Sequence, residues 1–270
     1  MTEHSTAESR AKRSPLFINS VEKAFAVLTA FDGTKRQLSL TELAASTGIG
    51  MSAAQRCVHT LTTLGCLTKD ADSGRYELSP RLLSFAHHYL SSNDLVTRAE
   101  PSVRQLALET EEAVSLTIRD DTDIVFVLRY VSRKMLFPDI VVGSRVPVYC
   151  SAPGLAMLSC LPQDEAASIL TRSNLVAYTP STVTDQNAIV NRLRTFRTNG
   201  YAHTREEYFL LDMVIAAAIT DARGRPQGAV SVAVGKNRFD VERDESRLAD
   251  LVMTTAARIS APRRPEVLKT

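Results

Sequence analysis

Apolar positions in the first eighty residues recur with the period of a helix. Val21, Ala24, Leu28 and Phe31 fall at i, i+3, i+7 and i+10, one face of a helix that Asn19 caps three residues ahead of Glu22 and that Asp32-Gly33 closes. Ser39-Leu-Thr-Glu42 has the form of a capping box, in which hydroxyl and carboxylate each serve the other residue's amide. Leu40, Leu43 and Ala44 supply its apolar stripe, and Gly48 stands where a left-handed residue ends a helix. Such a helix is barely two turns long and must pack on something to persist. Ser52-Ala-Ala-Gln55 repeats the box and predicts a helix running to Gly65. Ala54, Cys57, Val58, Leu61 and Leu64 point inward on it. Ser52, Arg56, His59 and Thr63 point outward, with Gln55 and Thr60 beside them. Residues 67–69 and 75–78 then flank Asp72-Ser-Gly74, the pattern of a β-hairpin. A helix, a helix-turn-helix and a hairpin make a winged helix.

Beyond Ser79-Pro80 a further helix is expected, with Leu82, Leu83, Ala86, Tyr89 and Leu90 along one side and no flexible spacer before it. His87 and His88 are adjacent on it, so their directions diverge by about 100° and neither is assigned a role. Asn93-Asp94 interrupts, and Pro101 suits the first turn of a helix reaching about Glu112. The period then changes to that of strands at 114–119 and 124–130, with a third short strand at 140–142. Loop and helix occupy 150–161, and helices are expected at 163–171 and 185–198. Strands follow at 214–220 and 228–234, and a closing helix at 241–259. Strands joined by hairpins with helices between them predict an α+β fold, an antiparallel sheet with flanking helices. The expected division is a disordered tail at 1–15, a winged helix at 16–79, a linker helix at 80–94, a second domain at 95–262 and a polar tail at 263–270.

Composition adds little to this and removes several classes. The chain has 270 residues, 44% hydrophobic and 23% charged, as expected of two packed domains. The longest apolar run, 213–219, is far short of a membrane span, and the polar N-terminus lacks a signal-peptide core, so a cytoplasmic protein without membrane contact is expected. Cys57, Cys66, Cys150 and Cys160 form no C-x-x-C pair and the five histidines are scattered, so neither a structural zinc site nor any cofactor is expected. Net charge is +2, but residues 10–80 hold nine basic against six acidic side chains.

That mild excess suits double-stranded DNA. The second helix of the pair would enter the major groove, with Gln55 and Arg56 reaching base edges or phosphates and Ser52 favouring a phosphate at the helix N-terminus. Lys69 and Arg75 on the wing, and Lys12, Arg13 and Lys35 around it, would add phosphate contacts. The candidate DNA-contacting set is therefore Ser39, Ser52, Gln55, Arg56, His59, Thr60, Lys69 and Arg75. In the second domain, Cys150-Ser-Ala-Pro-Gly154 opens a helix, and its unpaired amides can receive a carboxylate without any cationic side chain.

At this point the chain resembles the IclR family of bacterial transcriptional regulators. SVEKAFAVLTAF, LSLTELAASTGIGMSAAQRCVHTLTTLGCL and GRYELSPRLLSFAHHYL are similar to the family's DNA-binding half. DLVTRAEPSVRQLALETEEAVSL, VVGSRVPVYCSAPGLAMLSCLP, LRTFRTNGYAHTREE and GAVSVAVG follow in the family's order, so the likeness covers about residues 16 to 262. It implies an N-terminal winged helix, a linker helix and a C-terminal GAF-like effector-binding domain. The Arg-x-Pro-x-Tyr-Cys run at 145–150 is similar to members that control aromatic-acid catabolism, although the family's usual Gly-Lys is Gly154-Leu155 here. The resemblance places Ala152, Pro153, Thr204, Val214, Ser231 and Ala233, with Gly154 in the same loop, around a small-molecule cavity. Thr204, Val214 and Ala233 would make it less polar than one built for a very small keto acid, favouring a larger, partly apolar carboxylic acid.

The expected function is a ligand-responsive regulator that binds a pseudo-palindromic operator as a homodimer or dimer of dimers, because one winged helix offers limited contact area. Two alternatives stand beside it. One is a constitutive dimeric repressor without an effector. The other is a thiol enzyme built on Cys150, His203 and Asp212, for which no local motif supplies the activated thiolate that nucleophilic catalysis needs.

Overall fold

The structure is a computed structural model that describes residues 14–132 and 140–260. The expected tails at 263–270 and over most of 1–15, and with them Lys12 and Arg13, lie outside the described residues. Contacts divide the chain into two units, one ending at Tyr89 and the other beginning at Leu90.

The first unit holds α1 (Asn19–Thr29), α2 (Leu40–Thr47), α3 (Met51–Thr63), and the hairpin of β1 (Leu67–Lys69) and β2 (Tyr76–Leu78). Val27, Phe31, Leu38, Leu43, Cys57, Val58, Leu61 and Leu67 form its core. A two-way bridge between Leu38 and Tyr76 adds a short third rung to the wing. The box on α2 forms as expected, with Gly48 left-handed at φ 66°. Two other expected caps do not form. α1 is preceded by Ile18, with Asn19 already inside the helix, and the residue it buries is Val27, while Val21 is exposed. α3 starts at Met51 with Gly50 as its cap and no side-chain cap bond. Only Ile49 and Gly50 separate the left-handed Gly48 from α3. That tight turn fixes where α3 begins, and Ser52 falls two positions past the cap. Leu64, expected inside, is exposed.

The linker segment forms α4 (Leu82–Ser92), none of whose residues is buried. α5 (Asp94–Thr110) follows at once, capped by Asn93, whose side chain accepts from the amides of Leu95 and Val96. Pro101 therefore sits in the helix interior and not in its first turn.

The second unit is one antiparallel sheet in the order β5-β4-β3-β8-β7-β6. Its strands are β3 (Ala113–Asp120), β4 (Asp123–Tyr130), β5 (Arg145–Pro147), β6 (Ala202–Arg205), β7 (Asp212–Thr220) and β8 (Pro226–Gly235). The third short strand lies at β5 and not at 140–142, and β6 was not foreseen. One face packs on α5 and on α9 (Val241–Ser260). The other packs on α6 (Ala152–Ser159), α7 (Gln163–Arg172) and α8 (Gln186–Asn199). With both faces covered, β7 and β8 are apolar on both sides. Each fully buried Leu, Ile or Val there contributes about 1.5–3 kcal/mol.

Candidate functional site

Two surfaces stand out, one in each unit. On α3 the residues Ser52, Gln55, Arg56, His59, Thr60 and Thr63 are all exposed, while Ala54, Cys57, Val58 and Leu61 are buried. The spacing puts the exposed set on one side of the helix. Arg56 has no ion pair among the described residues, so its charge faces solvent. The hydroxyls of Thr60 and Thr63 donate to the carbonyls of Arg56 and His59 at 2.9 Å, leaving their lone pairs outward.

The wing is held differently from expectation. Arg75 donates to the Glu42 carboxylate at 2.5 Å and to the carbonyl of Gln37 at 3.2 Å. The same Glu42 oxygen accepts from the Ser39 amide at 2.7 Å and the Ser39 hydroxyl at 2.8 Å. These bonds hold the Glu42 carboxyl down at about 2, the Ser39 amide contributing most. Ser39 and Arg75 thus join the wing to the start of α2, and the Arg75 charge is already matched. Lys69 lies over the Tyr76 ring, 5.6 Å from its centre.

The second surface is a cavity of about 180 Å³ on the sheet face that carries α6. Strand alternation explains much of its lining. On β7, Met213, Ile215, Ala217 and Ile219 pack toward α9, so Asp212 and Val214 face the other way. On β8, Val230, Val232 and Val234 pack toward α9, leaving Ser231 and Ala233 for the cavity. Thr204 on β6 pairs with Val214 and closes one side.

β4 breaks this alternation. Leu116 pairs with Leu128 but Thr117 pairs with Phe126, so Val127 is an extra residue, a β-bulge. Ile124 and Phe126 face the cavity side, Val127, Leu128 and Tyr130 the α9 side. Because of the extra residue, Arg129 returns to the cavity face only three positions after Phe126, as bulges allow. Its guanidinium lies 5.7 Å from the Phe126 ring centre and donates to the Ser115 hydroxyl at 2.8 Å. A cationic side chain is therefore present where none was expected. Burial lowers its pKa, with the Asp212 charge opposing.

Asp212 lies opposite in charge. Burial pushes its carboxyl up to about 6 against the pull of Arg129, and its Oδ1 is buried without a hydrogen-bond partner among the described residues. Glu207, also on the lining, is matched instead. Arg192 grips it with two bonds of 2.6 and 2.9 Å.

At the start of α6, Ala152 and Pro153 line the cavity. Gly154 does not. A Cβ at that position would stand 2.4 Å from the carbonyl oxygen of Val148, so this glycine serves close packing of two backbone segments. Cys150, His203 and Asp212 are not assembled into a triad. Burial pushes the Cys150 thiol up to about 12, whereas a nucleophilic thiol needs its pKa lowered. The His203 ring stacks edge-on against Phe196, with its Nδ1 3.4 Å from Glu245.

Residues 87–261 match the model of the bacterial transcriptional regulator IclR C-terminal domain, and residues 20–71 match that of the IclR helix-turn-helix domain. The chain belongs to the IclR family. It is 28% identical to the Pca regulon regulatory protein of Pseudomonas putida over 90% of this chain and 83% of that one. It is 29% identical to the p-hydroxybenzoate hydroxylase transcriptional activator of Acinetobacter baylyi over 94% of this chain and 93% of the relative. The solved structure of an IclR transcriptional regulator from Alicyclobacillus acidocaldarius superposes with a TM-score of 0.79 at 25% identity, covering 90% of this chain and 98% of that one. This IclR-family chain is thus a DNA-binding transcriptional regulator of α+β fold. Among the described residues no helix is long and apolar enough to cross a membrane.

Of the cavity residues expected from the IclR resemblance, Ala152, Pro153, Thr204, Val214, Ser231 and Ala233 all line it. Arg129, Ser115, Phe126, Glu207 and Tyr208 line it too and were missed. The available signal for Arg129 was a single charge at the end of an apolar strand run.

Proposed function

We propose that this regulator reads operator DNA with the exposed side of α3 and takes a carboxylic acid of about one ring's size in the cavity, whose occupancy changes operator affinity. The observation that carries this reading is the cavity itself: walls of Ile124, Phe126, Val146, Pro153 and Val214 around a half-buried arginine. An apolar cavity of ~150 Å³ is enough for a benzene ring, and a planar guanidinium matches a carboxylate. A relative whose name ties it to p-hydroxybenzoate hydroxylase supports an aromatic acid. The protein acts by binding and not by catalysis, in the cytoplasm, and α4 is the transmitting element between the two units.

A homodimer is part of the same proposal. α4 leaves Leu83 70% and Phe85 64% exposed, and α1 leaves Phe25 63% exposed. A second copy of this chain would cover these side chains and present two recognition helices to a two-fold operator.

The test is fluorescence anisotropy with DNA from the gene's own upstream region against a scrambled duplex, at physiological salt, with and without a panel of carboxylic acids. Selective binding that one acid shifts about tenfold is the expected result, a coupling of about 1.4 kcal/mol. Selective binding that no acid alters would replace it with a constitutive repressor. Arg56→Ala is expected to weaken operator binding by roughly tenfold or more while acid binding stays unchanged. Equal operator affinity would remove α3 as the reading helix.

A further inference from the structure

The outer side of α3 carries one large apolar side chain among its polar ones. Val58 and Leu61 lie in the core of the first unit, but Met51 is 46% exposed. Ile49, two residues earlier, packs against that core. Met51 is the first residue of the helix, and its cap is Gly50, which places no side chain beside it. Gln55 stands at i+4 from Met51 and is exposed too, so the two are neighbours on the helix surface. Side chains on a helix lean toward its N-terminus, so the methionine reaches ahead of the first turn. A single exposed apolar side chain is ordinary on most of a protein's surface. Here it occupies the end of the reading helix from which base edges are contacted.

We propose that Met51 is a specificity-determining residue, whose side chain packs on the C5 methyl group of a thymine in the operator's major groove. This rests on the assignment of α3 as the reading helix and deepens it. Base edges in the major groove offer donors and acceptors throughout, and the thymine methyl is the apolar exception. Methionine has no donor and only a weakly accepting sulfur, so it cannot stand in for the hydrogen bonds that Gln55 and Arg56 can make. It can remove a methyl group from water while burying its own apolar surface, a gain that no other base provides. Its unbranched chain, with three rotatable bonds, adapts to where that methyl lies. Gln55 suits adenine and Arg56 suits guanine. The half-site should therefore hold a T·A pair close to the pairs that these two residues read.

The test takes a duplex selected from a random pool by the full chain and measures its affinity by fluorescence anisotropy at physiological salt. Each thymine of the half-site is replaced in turn by deoxyuridine, which keeps the pairing and removes only the methyl group. At one position the parent is expected to lose about fourfold, roughly the worth of one buried methyl group. Met51→Ala should bind the original duplex about as weakly as the parent binds the substituted one, and should be indifferent to that substitution. Met51→Leu, which keeps an apolar side chain of similar volume, should retain part of the preference. Effects of the methyl group on the DNA itself are common to all three proteins and cancel in the comparison. Melting curves of each variant establish that it folds. A selected half-site that requires no T·A pair would overturn the proposal, as would parent and Met51→Ala losing equally at every thymine. If Arg56→Ala still weakens binding in that case, the reading helix stands and only the Met51 contact is lost. Equal binding by Arg56→Ala and the parent, or a pool from which nothing is enriched, removes both.

Discussion

Single residues decide how closely the elements around the cavity can approach. Gly154 shows it most sharply: a methyl group there would stand 2.5 Å from the Val148 Cα and 2.4 Å from its carbonyl oxygen. Both are backbone atoms that cannot swing aside. Gly154→Ala is therefore expected to destabilise the second unit by about 3 kcal/mol, read as a fall in its urea midpoint at unchanged slope. An unchanged midpoint would show that the 148–154 segment has room to shift. The sequence marked this residue for the wrong reason. A glycine at a helix start reads as an exposed donor for a ligand, and only three-dimensional packing reveals that backbone crowds it. Asp212 was visible too, but as a member of a triad that does not form: Cys150 shares the cavity with its thiol raised by burial, and His203 packs on Phe196 away from the lining. Which neighbours a side chain meets is set by strand register, and the sequence does not print register.

At the scale of elements, legibility followed how local the determining contacts are. The Ser39–Glu42 box spans four residues, and it formed as its pattern says. The equally good pattern at Ser52–Gln55 failed because a two-residue turn from α2 had already fixed the start of α3. β6 was missed because its four residues, Ala202–Arg205, mix polar and apolar types and are a strand only through pairing with β7. The α2 box also has a consequence for acid stability. Glu42 is held at about 2, below its ordinary value of 4.5, by the Ser39 amide first and Arg75 second. A carboxylate with a lowered folded pKa stabilises the fold above its unfolded value, and that contribution is lost as pH falls from about 4.5 toward 2. Asp244, held at about 2 by Arg243, acts in the same direction on α9. Asp212 has the opposite sign. Its folded value is raised, so its burial destabilises the fold above about pH 6 and that cost fades as pH falls toward 3.8. Glu42→Gln is expected to flatten the acid limb of the first unit's thermal-stability profile below pH 4.5. An acid limb as steep as in the parent would show that the box carries no such linkage. Ser39→Ala is expected to cost about 1 kcal/mol at pH 7 through loss of the cap.

For the molecule as a whole, assembly is the property that one chain leaves most open to test. α4 carries large apolar side chains and buries none of its residues. Leu83→Glu combined with Phe85→Glu is expected to convert a dimer to a monomer in sedimentation velocity and to weaken operator binding at least tenfold, with effector binding retained. A parent chain that sediments as a monomer at tens of micromolar would refute the dimer. The sequence announced this helix and its apolar side, yet periodicity alone does not say what covers that side. The extra residue at Val127 carries a different lesson, about heredity. Because Val127 and Leu128 face the same side, deleting the Val127 codon would make Phe126 and Leu128 consecutive rungs opposite Thr117 and Leu116, and would leave Leu128 on the α9 side and Arg129 facing the cavity. The bulge is thus a point at which a lineage could change the length of the strand by one residue without exchanging its two faces, so the charge in the cavity would be inherited or lost through the Arg129 codon itself.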